Sequence, residues 1–198
     1  MTRPDLIVLA PMRIEALAVR RGARETRIVR TGKGAQASRD AAERAARIPA
    51  ERVVIAGVCG GLDPALDPGD LVVANELRGP GGRTLALAGA ERLAEALRAR
   101  GLTAYAGPLL TAERLTTGAA REAARSGGAL AVDMESWWLA AAAGDRPLTV
   151  IRAVADTAAA ELRPSLATVR GGIRALSSLS SAAAMLEGLH ETLPATKV

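Results

Sequence analysis

The sequence predicts a single α/β domain, a three-layer sandwich in which helices cover a mostly parallel, mixed sheet. The chain has 198 residues, enough for one hydrophobic core and few for two independent ones. Short runs rich in Val, Ile and Leu alternate with alanine-rich stretches of helical periodicity. This alternation is typical of parallel strands that are joined by helices packed on the faces of the sheet.

Each short apolar run is assigned to one buried strand, and each alanine-rich stretch to one helix. The predicted strands are residues 6–10, 26–30, 52–57, 71–74, 130–132 and 148–154. The predicted helices are residues 35–47, 90–100, 119–125, 136–143 and 165–190. A glycine cluster at 78–83 is assigned to a turn. No repeat or long linker divides the chain, so residues 1–198 are expected to form one domain.

Composition narrows the classes of partner. The net charge is +5, but the arginines are scattered along helices and only three aromatic residues exist to stack bases, which disfavours nucleic-acid binding. No apolar run approaches the ~20 residues of a membrane helix. With no leader-like start, we expect a cytoplasmic protein without stable membrane insertion. With one cysteine, Cys59, and one histidine, His190, we expect no intramolecular disulfide, no zinc site and no Cys-His catalysis. No cofactor is expected.

Candidate chemistry is sought just after the strands, because ligands of open α/β sheets bind at the carboxyl ends of the strands. Glu15 follows the first strand and places a carboxylate at a strand-to-helix turn, where the helix dipole also favours an ordinary acid. Asp156 follows the last strand, where it either binds a neighbouring loop or donates a proton. Asp133 and Glu135 follow the strand at 130–132; Asp133 fits a helix cap, and Glu135 offers two oxygens to a vicinal diol.

Two glycine loops also follow strands. The Thr-Gly-Lys-Gly segment at 31–34 precedes a helix, and backbone amides at the start of a helix can bind an anion. The spacing of a phosphate-binding loop is missing. The segment 57–62 contains Gly60 and Gly61, and Pro-Gly-Asp follows at 68–70. Paired glycines permit close approach of a ligand to the backbone, or they form a tight turn between strands.

Taken together and in this order, these segments resemble the nucleoside phosphorylase/nucleosidase superfamily over residues 6 to about 190. In that family an acid follows the first strand and a Gly-Gly-Leu loop precedes a Pro-Gly-Asp strand start. A Met-Glu pair then ends a later strand, and an Arg precedes a strand-terminal Asp. Each feature has its match here, and the resemblance implies the phosphorylase/hydrolase-like fold.

The resemblance to methylthioadenosine/S-adenosylhomocysteine nucleosidases implies roles for individual residues. Glu15, third after Met12, matches the base that activates water. Met134 matches the residue that packs beneath the sugar, and Glu135 the one that binds the ribose hydroxyls. Asp156 matches the acid that protonates the purine at N7 and selects a 6-amino base.

Two departures from the nucleosidase pattern concern substrate contacts. The substrate-binding loop of Cys59, Gly60 and Gly61 has Val-Cys before the glycine pair, where the family commonly has Ser-Ala. The chain has no Phe, so aliphatic residues near Leu115 are expected to replace the aromatic that packs on adenine. Segments at 11–16, 107–109, 132–136 and 168–173 most resemble a hopanoid-associated phosphorylase subgroup, which suggests adenosylhopane as an alternative substrate.

Three functions follow as hypotheses. The first is hydrolysis of a 5′-substituted adenosine, such as methylthioadenosine, with release of adenine. The second is phosphorolysis of the same bond, with Arg13 and Lys33 as candidates to hold phosphate. The third is a non-catalytic nucleoside-binding protein, because the Val-Cys loop has drifted from the pattern.

Two expectations concern assembly and motion. A homodimer is expected because related nucleosidases usually pair, and because Trp137 and Trp138 supply apolar area, although tryptophan on a helix more often serves packing. The segment 158–165, which follows the last strand, is expected to be a mobile cover that orders over bound ligand.

Overall fold

The computed structural model describes residues 6–157 and 166–186, with side chains described up to residue 157 and again from residue 169. The expected mobile segment at 158–165 and His190 lie outside the described residues. The described strands are β1 (Leu6–Ala10), β2 (Arg27–Arg30), β3 (Arg52–Gly61), β4 (Leu71–Arg78), β5 (Thr84–Ala86), β6 (Ala104–Thr111), β7 (Ala131–Asp133) and β8 (Leu148–Asp156). The described helices are α1 (Arg13–Gly22), α2 (Gly34–Ala46), α3 (Ala90–Ala99), α4 (Gly118–Ser126), α5 (Ser136–Ala140) and α6 (Leu166–Leu186).

All six predicted strands and all five predicted helices are present, with ends shifted by one to four residues in most cases. The predicted turn at 78–83 contains a single 3₁₀ turn, Pro80–Gly82. No bounds are predicted for α1, and β5 and β6 are absent from the predicted strands. β6 escapes the search for apolar runs because Gly107 and Pro108 interrupt it and its buried positions alternate with half-buried ones.

The sheet is mixed, and five of its strands form a ring. β1 pairs in parallel with β2 and β3, and β3 pairs in parallel with β8. β8 pairs antiparallel with β4, which pairs in parallel with β6, and β6 pairs in parallel with β7. A short antiparallel pairing of β7 with the end of β3 then closes the ring β3–β8–β4–β6–β7. The carboxyl ends of β1, β3 and β8 therefore meet β7 at one edge of the sheet.

Helices cover both faces of the sheet. One core lies between the sheet and helices α2 and α5, where alanines of α2 pack on buried strand residues such as Ile7 and Val53. The other lies beneath α1, α3 and α6, around Val8, Leu93 and Leu179. This arrangement confirms the predicted three-layer α/β fold. Within the described residues, no helix combines the length and apolarity that crossing a membrane would require.

Candidate active site

A cavity of about 300 Å³ opens at the edge where β1, β3 and β8 end. Seven of the nine predicted site residues line it: Glu15, Lys33, Cys59, Gly60, Met134, Glu135 and Asp156. Leu115, expected near the base, also lines it. Gly61 and Arg13 do not. The fold thus brings together side chains from four separate strand ends, as the search after each strand predicts.

Glu15 lies in the first turn of α1 and is 1% exposed. Its Oε2 accepts a hydrogen bond from the Met12 N–H at 2.6 Å, and its Oε1 accepts one from the Val58 N–H at 2.7 Å. These two contacts hold the carboxyl between the segment that follows β1 and the C-terminal half of β3. Burial raises the pKa of Glu15, although nearby Arg152 and the two N–H donors act in the opposite direction. A buried, fixed carboxyl with a raised pKa is suited to accept a proton.

Asp156, at the end of β8, is paired with an arginine that the sequence analysis does not single out. Arg121 of α4 donates from Nη1 to Asp156 Oδ2 at 2.6 Å, and the two side chains are 4% and 5% exposed. Arg121 Nη2 also donates to the backbone oxygens of Gly61 and Asp156, at 2.7 and 3.1 Å. Arg121 lines the cavity as well. Delivery of a proton by Asp156 therefore requires this ion pair to loosen.

The ion pair explains why two glycines occupy the end of β3. A Cβ at Gly60 would lie 3.0 Å from Arg121 Nη2 and 3.2 Å from Asp156 Oδ1. Gly60 therefore lets the guanidinium and the carboxylate meet against the backbone. Gly61 lies outside the cavity and contributes its carbonyl oxygen to Arg121.

Glu135 and Met134 follow β7 and form another wall of the cavity. Glu135 is 8% exposed, and its Oε1 accepts a hydrogen bond from the Gly34 N–H at 2.9 Å. This contact ties Glu135 to the N-terminus of α2, where the helix dipole favours a negative charge. Asp133 accepts hydrogen bonds from the backbone N–H groups of Glu135 and Ser136, but the N-cap of α5 is Glu135, so the prediction that Asp133 is the N-cap residue is wrong.

Arg152 is a second functional arginine that the sequence predicts only as part of the family pattern. It is fully buried on β8, and its Nη2 lies 2.7 Å from Asp133 Oδ2. Its guanidinium lies against Gly57 beside Glu15, and any side chain at that glycine would overlap it. Burial lowers the pKa of Arg152, but Asp133, Glu15 and Glu135 outweigh it and raise the pKa. Arg152 therefore compensates the three carboxylates at this end of the cavity, Asp133, Glu15 and Glu135.

Arg13 lies in a second, more open groove of about 460 Å³ next to the cavity. The groove shares Pro11, Met12 and Lys33 with the cavity. Its other lining residues include Arg30 and Arg44, so four cationic side chains and no acidic one line it. The two residues predicted to hold phosphate thus lie at the junction of the cavity and a cationic groove.

Three further predicted residues have local roles. Burial raises the pKa of the Cys59 thiol, so it lines the cavity as a neutral group. Trp138 is buried beneath the Arg39 guanidinium, 3.9 Å from the ring centroid. Trp137 packs so closely against Gly79 that a side chain there would overlap its ring. Trp138 is therefore buried within the chain, whereas Trp137 is half-buried.

Comparison with known proteins identifies the family. The model of the phosphorylase superfamily matches residues 14–184. None of the curated proteins compared with the chain matches it.

Solved structures with the same fold are available. Methylthioadenosine/S-adenosylhomocysteine nucleosidase from Neisseria meningitidis, in complex with methylthio-immucillin-A, is 20% identical, with a TM-score of 0.78 over 93% of this chain and 99% of that one. The Streptococcus pyogenes S-adenosylhomocysteine nucleosidase, in complex with 5-methylthiotubericidin, is 18% identical, with a TM-score of 0.74 over 94% and 98%. Futalosine hydrolase of Helicobacter pylori is 16% identical, with a TM-score of 0.75 over 96% and 98%.

At these identities the solved structures establish the fold, and the family model extends over most of the chain. The matched range, residues 14–184, contains Glu15, Glu135 and Asp156. The chain therefore belongs to the phosphorylase superfamily and is a glycosidic-bond-cleaving enzyme of that family.

Proposed function

We propose that the protein hydrolyses the N-glycosidic bond of a 5′-substituted adenosine and releases adenine. One observation carries the proposal: buried Glu15 and Asp156, at the ends of parallel strands β1 and β8, line one cavity together with Glu135. A cavity of about 300 Å³ lies at the lower end of the range typical of small-molecule sites. The nucleosidases among the structural relatives support this substrate class.

The charges required by the reaction match the groups in the cavity. Cleavage of a purine glycoside creates an oxocarbenium-like sugar and leaves negative charge on the departing base. In the proposed mechanism, Glu135 binds the ribose hydroxyls, and Glu15 accepts a proton as water attacks the sugar carbon. The bond between that carbon and the purine breaks, and the purine receives a proton at N7 from Asp156. Asp156 is neutral while it carries this proton, and Arg121 compensates the carboxylate that the transfer leaves.

Adenine release in phosphate-free buffer tests the proposal. Methylthioadenosine, S-adenosylhomocysteine and adenosylhopane are incubated with the protein, and free adenine is quantified by chromatography. Glu15→Gln is the matched control, because the amide preserves the shape of the side chain but cannot accept the proton of water. No release from any of the three substrates without phosphate, or equal release by the variant, would reject hydrolysis through Glu15.

Phosphorolysis is the second candidate, and the cationic groove beside the cavity favours it. Arg13 and Lys33 lie where the groove and the cavity join, so a phosphate bound there would lie next to the sugar side of the site. Activity that depends strictly on phosphate and yields a sugar 1-phosphate would establish this alternative. Arg13→Gln should then raise the KM for phosphate, with Arg100→Gln as a control on an exposed arginine that lines neither the groove nor the cavity.

The same assays show which 5′ substituent is accepted and whether the protein is a catalyst or a nucleoside sensor. A large apolar substituent, as in adenosylhopane, suits the aliphatic lining that includes Leu115 and Met134. A nucleoside sensor would bind adenosine tightly and turn over none of the three substrates. The buried acids Glu15 and Asp156 support catalysis over sensing, because burying such groups is unfavourable unless function requires them.

A further inference from the structure

Large apolar side chains are exposed on one part of the molecule. Within the described residues, five large hydrophobic side chains are at least half exposed, and four of them belong to α1 and α6. Ile14 and Leu17 of α1 are 53% and 50% exposed. Val169 and Ile173 of α6 are 59% and 63% exposed. The spacings of three and four residues place each pair on one side of its helix.

The two pairs lie on the same surface. α1 and α6 follow the parallel strands β1 and β8 and pack on the same face of the sheet, so the helices run in the same direction. They touch where Gly22 meets the backbone of Ser180. Ile14 precedes Gly22 by eight residues and Ile173 precedes Ser180 by seven, so both lie about 10–12 Å from this contact along their helices. The exposed apolar side chains therefore lie at a similar level along two neighbouring helices, toward the N-terminal end of each.

The same surface is cationic. The two helices contain five arginines, at positions 13, 20, 21, 170 and 174, and the only acid in either helix is Glu15, which is buried in the cavity. Arg174 lies beside the loop that carries Asp67 and Asp70, through its contact with Gly69. Arg13, Arg21 and Arg170 are exposed cations on the same two helices as the four apolar side chains.

We propose that this surface, the α1/α6 face, docks on an anionic lipid bilayer. It is defined by Ile14, Leu17, Val169 and Ile173 with Arg13, Arg21 and Arg170. Its apolar side chains can enter the boundary between headgroups and acyl chains, and its arginines can bind lipid phosphates. The docking is reversible and peripheral, because only four side chains would enter the bilayer.

A second copy of this chain fits the α1/α6 face less well. Twofold association through one surface brings the same patch of each subunit together, so the arginines of one copy would meet those of the other. Neither helix offers an exposed acid to pair with them. An anionic bilayer supplies the opposite charge and an apolar layer at once.

Docking would bring the active-site cavity close to the bilayer. Met12 is the residue at which α1 begins, and it lines the cavity, as does Ala155, whose carbonyl oxygen lies against Gly171 of α6. A substrate with a large apolar 5′ group could then keep that group in lipid while its nucleoside enters the cavity. This last step rests on the proposed function, whereas docking itself does not.

Vesicle sedimentation tests docking independently of catalysis. The whole protein is mixed with vesicles of phosphatidylcholine alone or with 30% phosphatidylglycerol, at low salt and at 0.5 M NaCl. We expect sedimentation with the anionic vesicles and a loss of at least fivefold in high salt. Failure to sediment with anionic vesicles at low salt would overturn the proposal, whether or not the protein cleaves nucleosides.

A pair of double variants separates specific docking from bulk charge. Leu17→Glu with Ile173→Glu should weaken vesicle binding at least tenfold, while adenine release from soluble methylthioadenosine is unchanged. Arg47→Ala with Arg100→Ala changes the net charge by the same −2 at exposed sites elsewhere, and should bind within about twofold of the wild type. Equal weakening of both would overturn the α1/α6 face as the site. So would light scattering that shows a dimer which only the Glu variant disrupts.

Discussion

Replacing Asp156 by Asn tests the central ion pair and the proposed proton donor together. The amide keeps the shape of the side chain but removes the charge that faces Arg121, which is 4% exposed. Breaking a buried pair from one side typically costs about 3–5 kcal/mol. Arg121 keeps the carbonyl oxygens of Gly61 and Asp156 as acceptors, so we expect the lower end, about 3 kcal/mol. For a domain of this size, that loss lowers the melting temperature by roughly 6–12 °C.

The catalytic effect of Asp156→Asn is expected to exceed the effect on binding. An amide cannot supply the proton that neutralises N7 as the base departs, so kcat should fall by about 100- to 10,000-fold. Nucleoside binding should be largely retained, because the amide still offers a hydrogen bond. The assay is steady-state adenine release well below the melting temperature of the variant, with binding measured by calorimetry.

A double variant separates stability from chemistry. Asp156→Asn combined with Arg121→Met removes the stranded guanidinium, so it should recover part of the melting temperature without recovering turnover. Arg121→Met alone should destabilise the fold, because it leaves the Asp156 carboxylate buried without its partner. Near-normal turnover with weakened binding in Asp156→Asn would show that Asp156 only recognises the base and would refute the reasoning.

Three other outcomes are expected. Glu15→Gln should fold but lose at least ~tenfold in rate, and a smaller loss in steady-state assays would contradict its role as the base. Since burial raises the pKa of Glu15 and the base acts deprotonated, kcat/KM should fall with decreasing pH at a value above that of an ordinary glutamate; a limb at or below the ordinary value would argue against it. Light scattering should give a homodimer, and a monomer at all concentrations would reject this expectation.

Most residues of the candidate site could be predicted from the sequence, because they directly follow strands that are easy to recognise. Glu15, Glu135 and Asp156 each follow an apolar run that is easily recognised, and parallel strands bring such ends to one edge. Arg121 could not be found in this way. It lies in an alanine-rich helix with one other arginine, Arg125, and nothing local distinguishes a buried guanidinium from an exposed one. Its role depends on tertiary packing, which places α4 beside the end of β8.

The assignment of β6 fails for a related reason. Gly107 and Pro108 weaken the local signal for a strand, and the segment is stabilised by its partners β4 and β7 on either side. Pairing on both sides overrides local propensity, which is a weak guide in sheets. Gly61 and Arg13 illustrate the limit of motif matching. Both belong to the matched segments, but Gly61 lies outside the cavity and Arg13 lies in the adjoining groove.

The ring of five strands also determines when the active site can form during synthesis of the chain. β3 ends at Gly61, but its partner β8 begins at Leu148, so the two strands are made far apart in time. Pairing of distant segments slows folding, and a chain emerging from the ribosome exposes the unpaired edge of β3 until β8 follows. Asp156 is the last residue of β8. The cavity can therefore be completed only after about four-fifths of the chain has been translated, and any nascent chain shorter than this lacks Asp156 and a closed sheet.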